Sequence, residues 1–407
     1  MLKKTLLISA AALLALSFLA PLTAQDAPSL QQLEQMLTAS PDHGGVWLEL
    51  AAAHARAGNK SEAARWLEKA IARGLDFDLN DPTFAVLRES PELKPLLARA
   101  EANRRVVSRS KAAFRIPEKD LIPEGIAHDP KTGAFFLGSL HKSKIVRIDK
   151  AGKVSDFTTS GQDGLWEVLG MKVDPATRTL WVCSAAGAAA GEADGSAGLF
   201  RYDVDTGKLR GKHVLPGKPQ PHLFNDLAFG AGGEVFLTDS KAGTLYRLKP
   251  GQDQLEVFVG PGTLIYPNGV AISTDHKKLF VADFAKNLSI VDVATGQARP
   301  LPHPERVNVA GIDGLYLYGN TLIAVQNSAG VERIVRFRLN AALDAIEAEE
   351  ILESRNPLFK IPTTGVVAGD SFFYIANSQL RSLGEQGRLR PEVKLEEVVI
   401  LTVSLGR

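Results

Sequence analysis

The chain has 407 residues, and its 47 Lys and Arg against 46 Asp and Glu leave a formal net charge of +1. This balance offers no basic surface for nucleic acid or for a membrane, so neither is expected as a partner. The length exceeds what one hydrophobic core usually organises, and two domains are therefore expected.

The N-terminus has the pattern of an export signal. Lys3 and Lys4 precede an apolar run from Leu6 to Leu19, and a small-residue site follows at Leu22-Thr23-Ala24. The run is short for a membrane-spanning helix, so residues 1–24 are predicted to be a cleaved signal peptide, with an uncleaved anchor as the alternative. No later segment is apolar enough to span a membrane, and an exported chain, periplasmic or secreted, is expected.

Residues 25–110 are predicted to be helical, because apolar residues recur three and four positions apart and Ala, Leu, Glu and Arg dominate. The stretch from Trp47 to Ala70 resembles one tetratricopeptide repeat, a pair of helices packed through small residues. One repeat cannot bury its own apolar face, so helices near 30–37 and 84–102 are expected to cap it. A small cap or dimer surface is the expected role, with binding of a protein partner as the alternative.

From Lys111 onward short β-type runs alternate with Gly, Asp, Asn and Pro, which is typical of an all-β architecture. Six segments share a variable residue, a small residue and then alternating apolar positions, and their first positions are spaced by 45, 56, 43, 45 and 51 residues. Repeats of this length are typical of propeller blades. Residues 111–407 are therefore predicted to form a six-bladed β-propeller, closed by pairing of residues 112–116 with residues 398–405.

The first residue of each repeat lies on the innermost predicted strand, so these six positions should form a ring around the channel. The ring consists of Glu124, Leu169, Asn225, Asn268, Asp313 and Thr364. Carboxylate and carboxamide oxygens suit a hard cation, so Glu124, Asn225, Asn268 and Asp313 are predicted to bind a divalent metal. Calcium is favoured over magnesium, because four side chains on separate strands make a wide cage. The alternative is that Asn and Asp merely start turns here.

A second ring is expected where the second strand of each blade ends, because antiparallel pairing returns these ends to the same face. It consists of Ser139, Ser184, Asp239, Asp283, Asn327 and Asn377. Asp239 and Asp283 are predicted to support the metal ligands from behind or to line the channel wall, with ordinary strand-end turns as the alternative.

Four of these motifs, in chain order, resemble those of a known family. They are Pro123-Glu124-Gly125, Phe224-Asn225-Asp226, Pro267-Asn268-Gly269 and Ile312-Asp313-Gly314. They are similar to the metal-binding motifs of the senescence-marker-protein, gluconolactonase and LRE-like family, which is related to diisopropyl fluorophosphatase and paraoxonase. The resemblance implies calcium or another divalent cation on Glu124, Asn268 and Asp313, with Asn225 as a further ligand or substrate contact. It also implies that Asp313 is the catalytic general base or nucleophile.

One departure from that family bears on the substrate. Its sugar lactonases carry an arginine two residues before the asparagine, where this chain has Leu223, so a sugar-acid lactone is not expected. The predicted substrate contacts are Trp166, His222, Phe224 and Tyr266, and the mostly apolar loops around them suit a less polar lactone or ester. Glu167 is a candidate for an additional carboxylate near the mouth, with exposure to solvent as the alternative.

Two classes of function follow. The first is a metal-dependent hydrolase of a small lactone, ester or phosphotriester-like substrate. The second is a non-enzymatic binding or scaffold propeller with a structural metal, since a fold does not dictate function. A carbon–nitrogen condensing activity like that of strictosidine synthases is disfavoured, because those enzymes need a differently placed glutamate. A serine hydrolase is not expected either, since no Gly-x-Ser-x-Gly motif occurs.

Overall fold

The computed structural model describes residues 29–39, 41, 44–75, 84, 87, 91, 94–284, 286–327, 332–384 and 387–406. The predicted signal peptide at residues 1–24 lies outside these ranges. Within them, no helix is both long enough and apolar enough to cross a membrane.

Four α-helices precede the first strand. They are α1 (Leu30–Ala39), α2 (Gly44–Arg56), α3 (Lys60–Ala72) and α4 (Lys94–Asn103). Small residues let α2 and α3 pack closely, with Ala51, Ala55 and Ala63 buried in one cluster. Helix α1 packs on α2 and helix α4 joins the cluster of the central pair, so the flanking helices expected from the sequence are present.

Twenty-four strands form six four-stranded antiparallel sheets, which we call blades 1 to 6. Blade 1 contains β2 (Pro123–Asp129), β3 (Ala134–Ser139), β4 (Ile145–Ile148) and β5 (Val154–Asp156). Blade 2 contains β6 (Glu167–Asp174), β7 (Thr179–Ala185), β8 (Ala197–Asp203) and β9 (Leu209–Leu215). Blade 3 contains β10 (Phe224–Phe229), β11 (Val235–Asp239), β12 (Thr244–Leu248) and β13 (Glu256–Val259).

The other three blades follow the same plan. Blade 4 contains β14 (Pro267–Ile272), β15 (Lys278–Asp283), β16 (Asn287–Asp292) and β17 (Ala298–Pro300). Blade 5 contains β18 (Ile312–Tyr318), β19 (Thr321–Gln326), β20 (Arg333–Leu339) and β21 (Ile346–Ser354). Blade 6 contains β22 (Gly365–Ala368), β23 (Ser371–Ile375), β24 (Val398–Ser404) and β1 (Lys111–Ile116).

The blades close into a ring. Each innermost strand contacts the innermost strands of two neighbouring blades, and β22 contacts β2. Blade 6 is completed by β1, whose Lys111 pairs with Thr402 of β24 and whose Ile116 pairs with Val398. The six-bladed propeller predicted from the repeat spacing is therefore confirmed, together with its closure by the first and last strands.

Glycine follows the ring residue in five of the six repeats because neighbouring inner strands approach closely. A Cβ on Gly125 would lie 1.8 Å from the backbone oxygen of Leu169, and a Cβ on Gly269 would lie 2.4 Å from that of Asp313. Only a residue without a side chain fits where one backbone meets another at these distances. The repeated small residue thus marks the contact between adjacent blades.

The helices pack beside the start of blade 5. Trp47 is buried in a cluster with Ala70, Leu75 and Ala310, and Ala310 lies in the loop that leads into β18. A second connection fixes the chain between α4 and β1, where Glu353 accepts hydrogen bonds from the backbone N–H groups of Arg109 (2.7 Å) and Ser110 (2.8 Å). The helices are therefore attached to the end of the propeller at which β18 begins.

Candidate functional site

The side chains of four predicted metal ligands meet at one cavity. It lies at the end of the channel where the inner strands begin, which we call the mouth, and has a volume of about 210 Å³. Glu124, Asn225, Asn268 and Asp313 all line it, together with Leu169. The other lining residues are Leu140, Glu167, Leu223, Tyr266, Phe284, Asn327, Ile361, Leu380 and Arg381. The structure thus brings together the predicted ligands from blades 1, 3, 4 and 5.

A β-bulge directs these side chains inward. In each of the inner strands β2, β6, β10, β14 and β18, the pairing register shifts at the ring residue and the residue after it. A bulge inserts an extra residue and re-aims a side chain that would otherwise follow the strict alternation of a strand. Blade 6 differs, since Thr364 precedes β22 and its hydroxyl donates to the backbone oxygen of Glu124.

The two ring carboxyls are buried close to each other. Glu124 and Asp313 are each only 6% exposed. Burial raises the pKa of Glu124 well above its usual value, and the nearby Asp313 raises it further. Burial raises the pKa of Asp313 to about 7, although hydrogen bonds from Asn327 and Asn268 oppose the shift. Within the described ranges neither carboxyl forms an ion pair, so nothing neutralises the pair.

The polar atoms of the cavity fit a hard cation. Glu124 Oε2 is buried and has no hydrogen-bond partner. Asn225 donates its side-chain N–H to Ser240 Oγ at 3.0 Å, which leaves its amide oxygen for another contact. Two carboxylates and two amide oxygens are the donor types that Ca²⁺ accepts. In the part of the chain that is described, no three His, Cys, Asp or Glu side chains cluster closely enough to hold a metal, so this fit depends on the amide oxygens.

The second ring mostly fixes loops. Asp239 accepts a hydrogen bond from the backbone N–H of Leu223 at 2.9 Å, and Asp283 accepts one from Ile265 at 2.7 Å. These amides lie two and three residues before the ring residues Asn225 and Asn268, so each aspartate ties its own blade's approach loop to the end of the second strand. Neither aspartate lines the cavity. Asn327 differs, because its Nδ2 donates directly to Asp313 Oδ2 at 2.6 Å.

One of the four predicted substrate contacts, Tyr266, lines the cavity, whereas Trp166, His222 and Phe224 do not. Phe224 is fully buried among the blades, as expected for the neighbour of an inward-facing residue on a strand. Trp166 packs edge-on against Phe200 with ring centroids 6.4 Å apart. His222 Nδ1 is hydrogen-bonded to Asp239 Oδ2 at 2.6 Å.

Several cavity residues were not identified as site residues from the sequence. Leu140 and Phe284 directly follow the second-ring residues Ser139 and Asp283, so the repeat contained a usable signal for them. Leu380 and Arg381 come from the connection between β23 and β24, which is longer than the corresponding connection of any other blade, so the repeat gave no signal for them.

The backbone is strained where it enters the site. Ile122 and Ile361 each precede a proline just before an inner strand, and their φ angles are 44° and 60°. A β-branched residue is an outlier at positive φ, and such strain persists only where surrounding contacts enforce it. One such contact holds Ile361, whose N–H donates to Glu332 Oε1 at 3.0 Å.

Comparisons with known proteins found similarities for the helical part of the chain and for the propeller. Residues 23–79 match the family model of the tetratricopeptide repeat. No curated protein sequence matches the chain.

Three solved structures are similar to the propeller part of the chain, each at low identity. A luciferin-regenerating enzyme is 15% identical with a TM-score of 0.51, covering 72% of this chain and 95% of its own. A putative oxidoreductase (glucose dehydrogenase) from Thermus thermophilus is 14% identical with a TM-score of 0.50, covering 72% and 99%. The calcium-binding protein regucalcin from Agrobacterium tumefaciens is 15% identical with a TM-score of 0.49, covering 73% and 96%. This chain therefore has a β-propeller fold that also occurs in proteins of different described activity.

Proposed function

We propose that the chain is a divalent-metal-dependent hydrolase, with Ca²⁺ as the metal, that acts on a small lactone, ester or phosphotriester-like substrate. The observation that carries the proposal is the set of oxygens from four blades that face one cavity. Two of them belong to the buried carboxyls of Glu124 and Asp313, which no protein cation neutralises within the described ranges. Burying two carboxylates together is costly when no cation is present. Their oxygens are ligands that a divalent cation accepts.

The four predicted ligands, Asn327 and Tyr266 each have a role in this proposal. Glu124, Asn225, Asn268 and Asp313 would hold the metal, which would polarise a carbonyl or phosphoryl oxygen when bound. Asp313 accepts a proton from the attacking water, while the hydrogen bond from Asn327 fixes its orientation. Burial raises the pKa of Tyr266 to about 12, so its hydroxyl keeps its proton at neutral pH and is available as a donor.

The remaining wall supports a substrate of low polarity. Leu140, Leu169, Leu223 and Phe284 supply apolar surface around the ring. At the position where the family's sugar lactonases carry an arginine, this chain has Leu223. A hydroxyl-rich substrate would therefore find no charged side chain at this position. Apolar walls with a few placed polar groups are typical of pockets for small, mostly apolar ligands.

The test combines metal analysis with a hydrolysis assay. We expect the purified protein to contain stoichiometric calcium, to melt at lower temperature after chelation, and to hydrolyse a lactone and ester panel only when reloaded. Asp313→Ala should lose all three properties. Glu234→Gln is the matched control, since Glu234 is a partly buried carboxyl in the turn between β10 and β11, outside the cavity lining. Absence of bound metal and of any chelator effect in the wild type would refute the proposal.

A second candidate function is a binding platform with a structural metal. The tetratricopeptide match at residues 23–79, together with helices attached beside the mouth, favours it. In that case a protein partner would bind through the helices, and Asp313→Asn would leave partner binding intact as long as metal is retained. Metal-dependent turnover in the assay above would exclude it as the sole function.

A further inference from the structure

Two charged residues that line the cavity, Glu167 and Arg381, have no role in the chemistry described so far. Glu167 is the first residue of β6 and lines the cavity beside the ring. Across the described residues, no hydrogen bond or ion pair engages its side chain. A cavity carboxyl without a protein partner is available to a bound substrate.

Its position is set by the spacing along β6. Glu167 precedes Leu169, the ring residue of blade 2, by two residues, which corresponds to about 7 Å along a strand toward the mouth. Because Leu169 supplies no polar atom, blade 2 contributes no ligand to the ring. The wall of blade 2 is therefore free to accept the part of a substrate that points away from the metal ligands.

Two loops enclose this carboxyl. A Cβ on Gly187, in the connection between β7 and β8, would lie 2.4 Å from Glu167 Oε1. A Cβ on Gly387, in the connection between β23 and β24, would lie 3.6 Å from the same atom. The two loops limit the access of solvent to the carboxyl. Burial raises the pKa of Glu167, although the positive charge of Lys241 acts to lower it. The carboxyl therefore keeps its proton to higher pH than an exposed glutamate.

We propose that Glu167 is a catalytic residue that gives its proton to the leaving oxygen of the substrate. The step rests on the hydrolase function proposed above. Water adds to the acyl carbon or phosphorus while Asp313 accepts its proton, and the bond to the leaving oxygen breaks with its electron pair on that oxygen. The proton of Glu167 moves to this oxygen, and solvent restores the protonation states of both carboxyls.

The test varies the leaving group, because a proton donor matters most when the leaving oxygen is basic. The probes are ethyl butyrate and 4-nitrophenyl butyrate, which share one acyl group. We expect Glu167→Gln to lower kcat on ethyl butyrate by about 100-fold or more, and on 4-nitrophenyl butyrate by about threefold or less. The alkaline limb of the pH profile with ethyl butyrate should also change. The control Glu234→Gln should change neither.

Two further measurements make the result decisive. Gly187→Ala places a methyl group against Oε1, displaces the carboxyl and should reproduce part of the loss on ethyl butyrate. The calcium-induced shift in melting temperature of Glu167→Gln should match that of the wild type. Equal losses on both esters, or an unchanged rate on ethyl butyrate, would overturn the role of Glu167. A wild type without a calcium shift or hydrolysis would overturn the proposed function and this role with it.

Discussion

Because they are buried, Glu124 and Asp313 are expected to make the stability of the protein depend on pH, and the proposed metal site would make it depend on cations as well. The unfolded chain would ionise them near their ordinary pKa values, whereas the folded chain holds both protons more tightly. A group whose pKa is raised on folding contributes stability at low pH and loses it as the pH rises toward the folded pKa. A bound divalent cation reverses this effect, because it favours the ionised forms.

We therefore expect the metal-free protein to lose stability from this pair as the pH rises from about 4 to about 7. Added calcium should raise the melting temperature more at pH 8 than at pH 5. Asp313→Asn should flatten the loss in the metal-free protein, whereas Asp253→Asn at an exposed site should leave it unchanged. Thermal melts at stepped pH with chelator test this, and parallel curves for Asp313→Asn and wild type would contradict it.

At the scale of the strand, the same local backbone arrangement recurs around the ring. A bulge aims the ring residue inward, and the glycine after it admits the backbone of the next blade. Both features depend on residues adjacent in sequence, which is why the ring was predictable from spacing alone. Phe224 was assigned to the substrate because it borders Asn225, yet strand alternation turns it into the core.

The cavity wall was less predictable, for a physical reason. Leu380 and Arg381 reach the cavity from a connection that is longer in blade 6 than in the other blades, so comparison of the repeats does not identify them. Loop residues are placed by contacts distant in sequence, as when leucines of this connection pack against the hydrophobic cluster that contains Leu169. The helical domain was easier to predict than the cavity wall, because local periodicity in residues 44–72 was sufficient to indicate α2 and α3.

The contact between inner strands yields a prediction with a matched control. Gly125→Ala places a Cβ 1.8 Å from a backbone oxygen, so blades 1 and 2 must separate. We expect the free energy of unfolding to fall by about 1–3 kcal/mol or more. Gly260→Ala meets no atom within 4 Å and should change stability by less than about 1 kcal/mol. Denaturant titration measures both, and equal stabilities would refute the inferred close contact.

The segment between α4 and β1 provides another test. Glu353 is fully buried and accepts two backbone N–H groups and the side chain of Asn356. Glu353→Ala leaves these donors unsatisfied and should cost about 2–4 kcal/mol. Glu350→Ala removes two ion pairs of a half-exposed carboxylate, with Arg109 and with Arg336, and should cost about 1 kcal/mol or less. Denaturant midpoints for the two variants should separate clearly, and similar midpoints would contradict the proposed anchoring.

For the whole molecule, the helices and the candidate site share a physical connection. Trp47 packs on Ala310, three residues before Asp313 on the same chain segment. Loosening the helices should therefore relax the backbone that positions this proposed metal ligand, even though none of the helices α1 to α4 lines the cavity.

Trp47→Ala tests this connection. We expect it to destabilise the protein by about 3–5 kcal/mol and to weaken calcium binding several-fold. Leu97→Ala, at a partly exposed position of α4, should leave calcium affinity unchanged. Calcium titration by calorimetry at a temperature where both variants are folded makes the comparison, and identical affinities would show that the helices and the site are independent.

The pairing of β1 with β24 has a consequence for the newly made chain. On the ribosome β1 emerges before any other strand, yet its partner β24 emerges only after the other five blades. The sixth blade therefore stays incomplete until β24 is made, with β1 presenting unpaired backbone to its surroundings throughout. A ribosome that stalls before β24 would release an open ring, so translation through this strand is itself a condition for the closed channel.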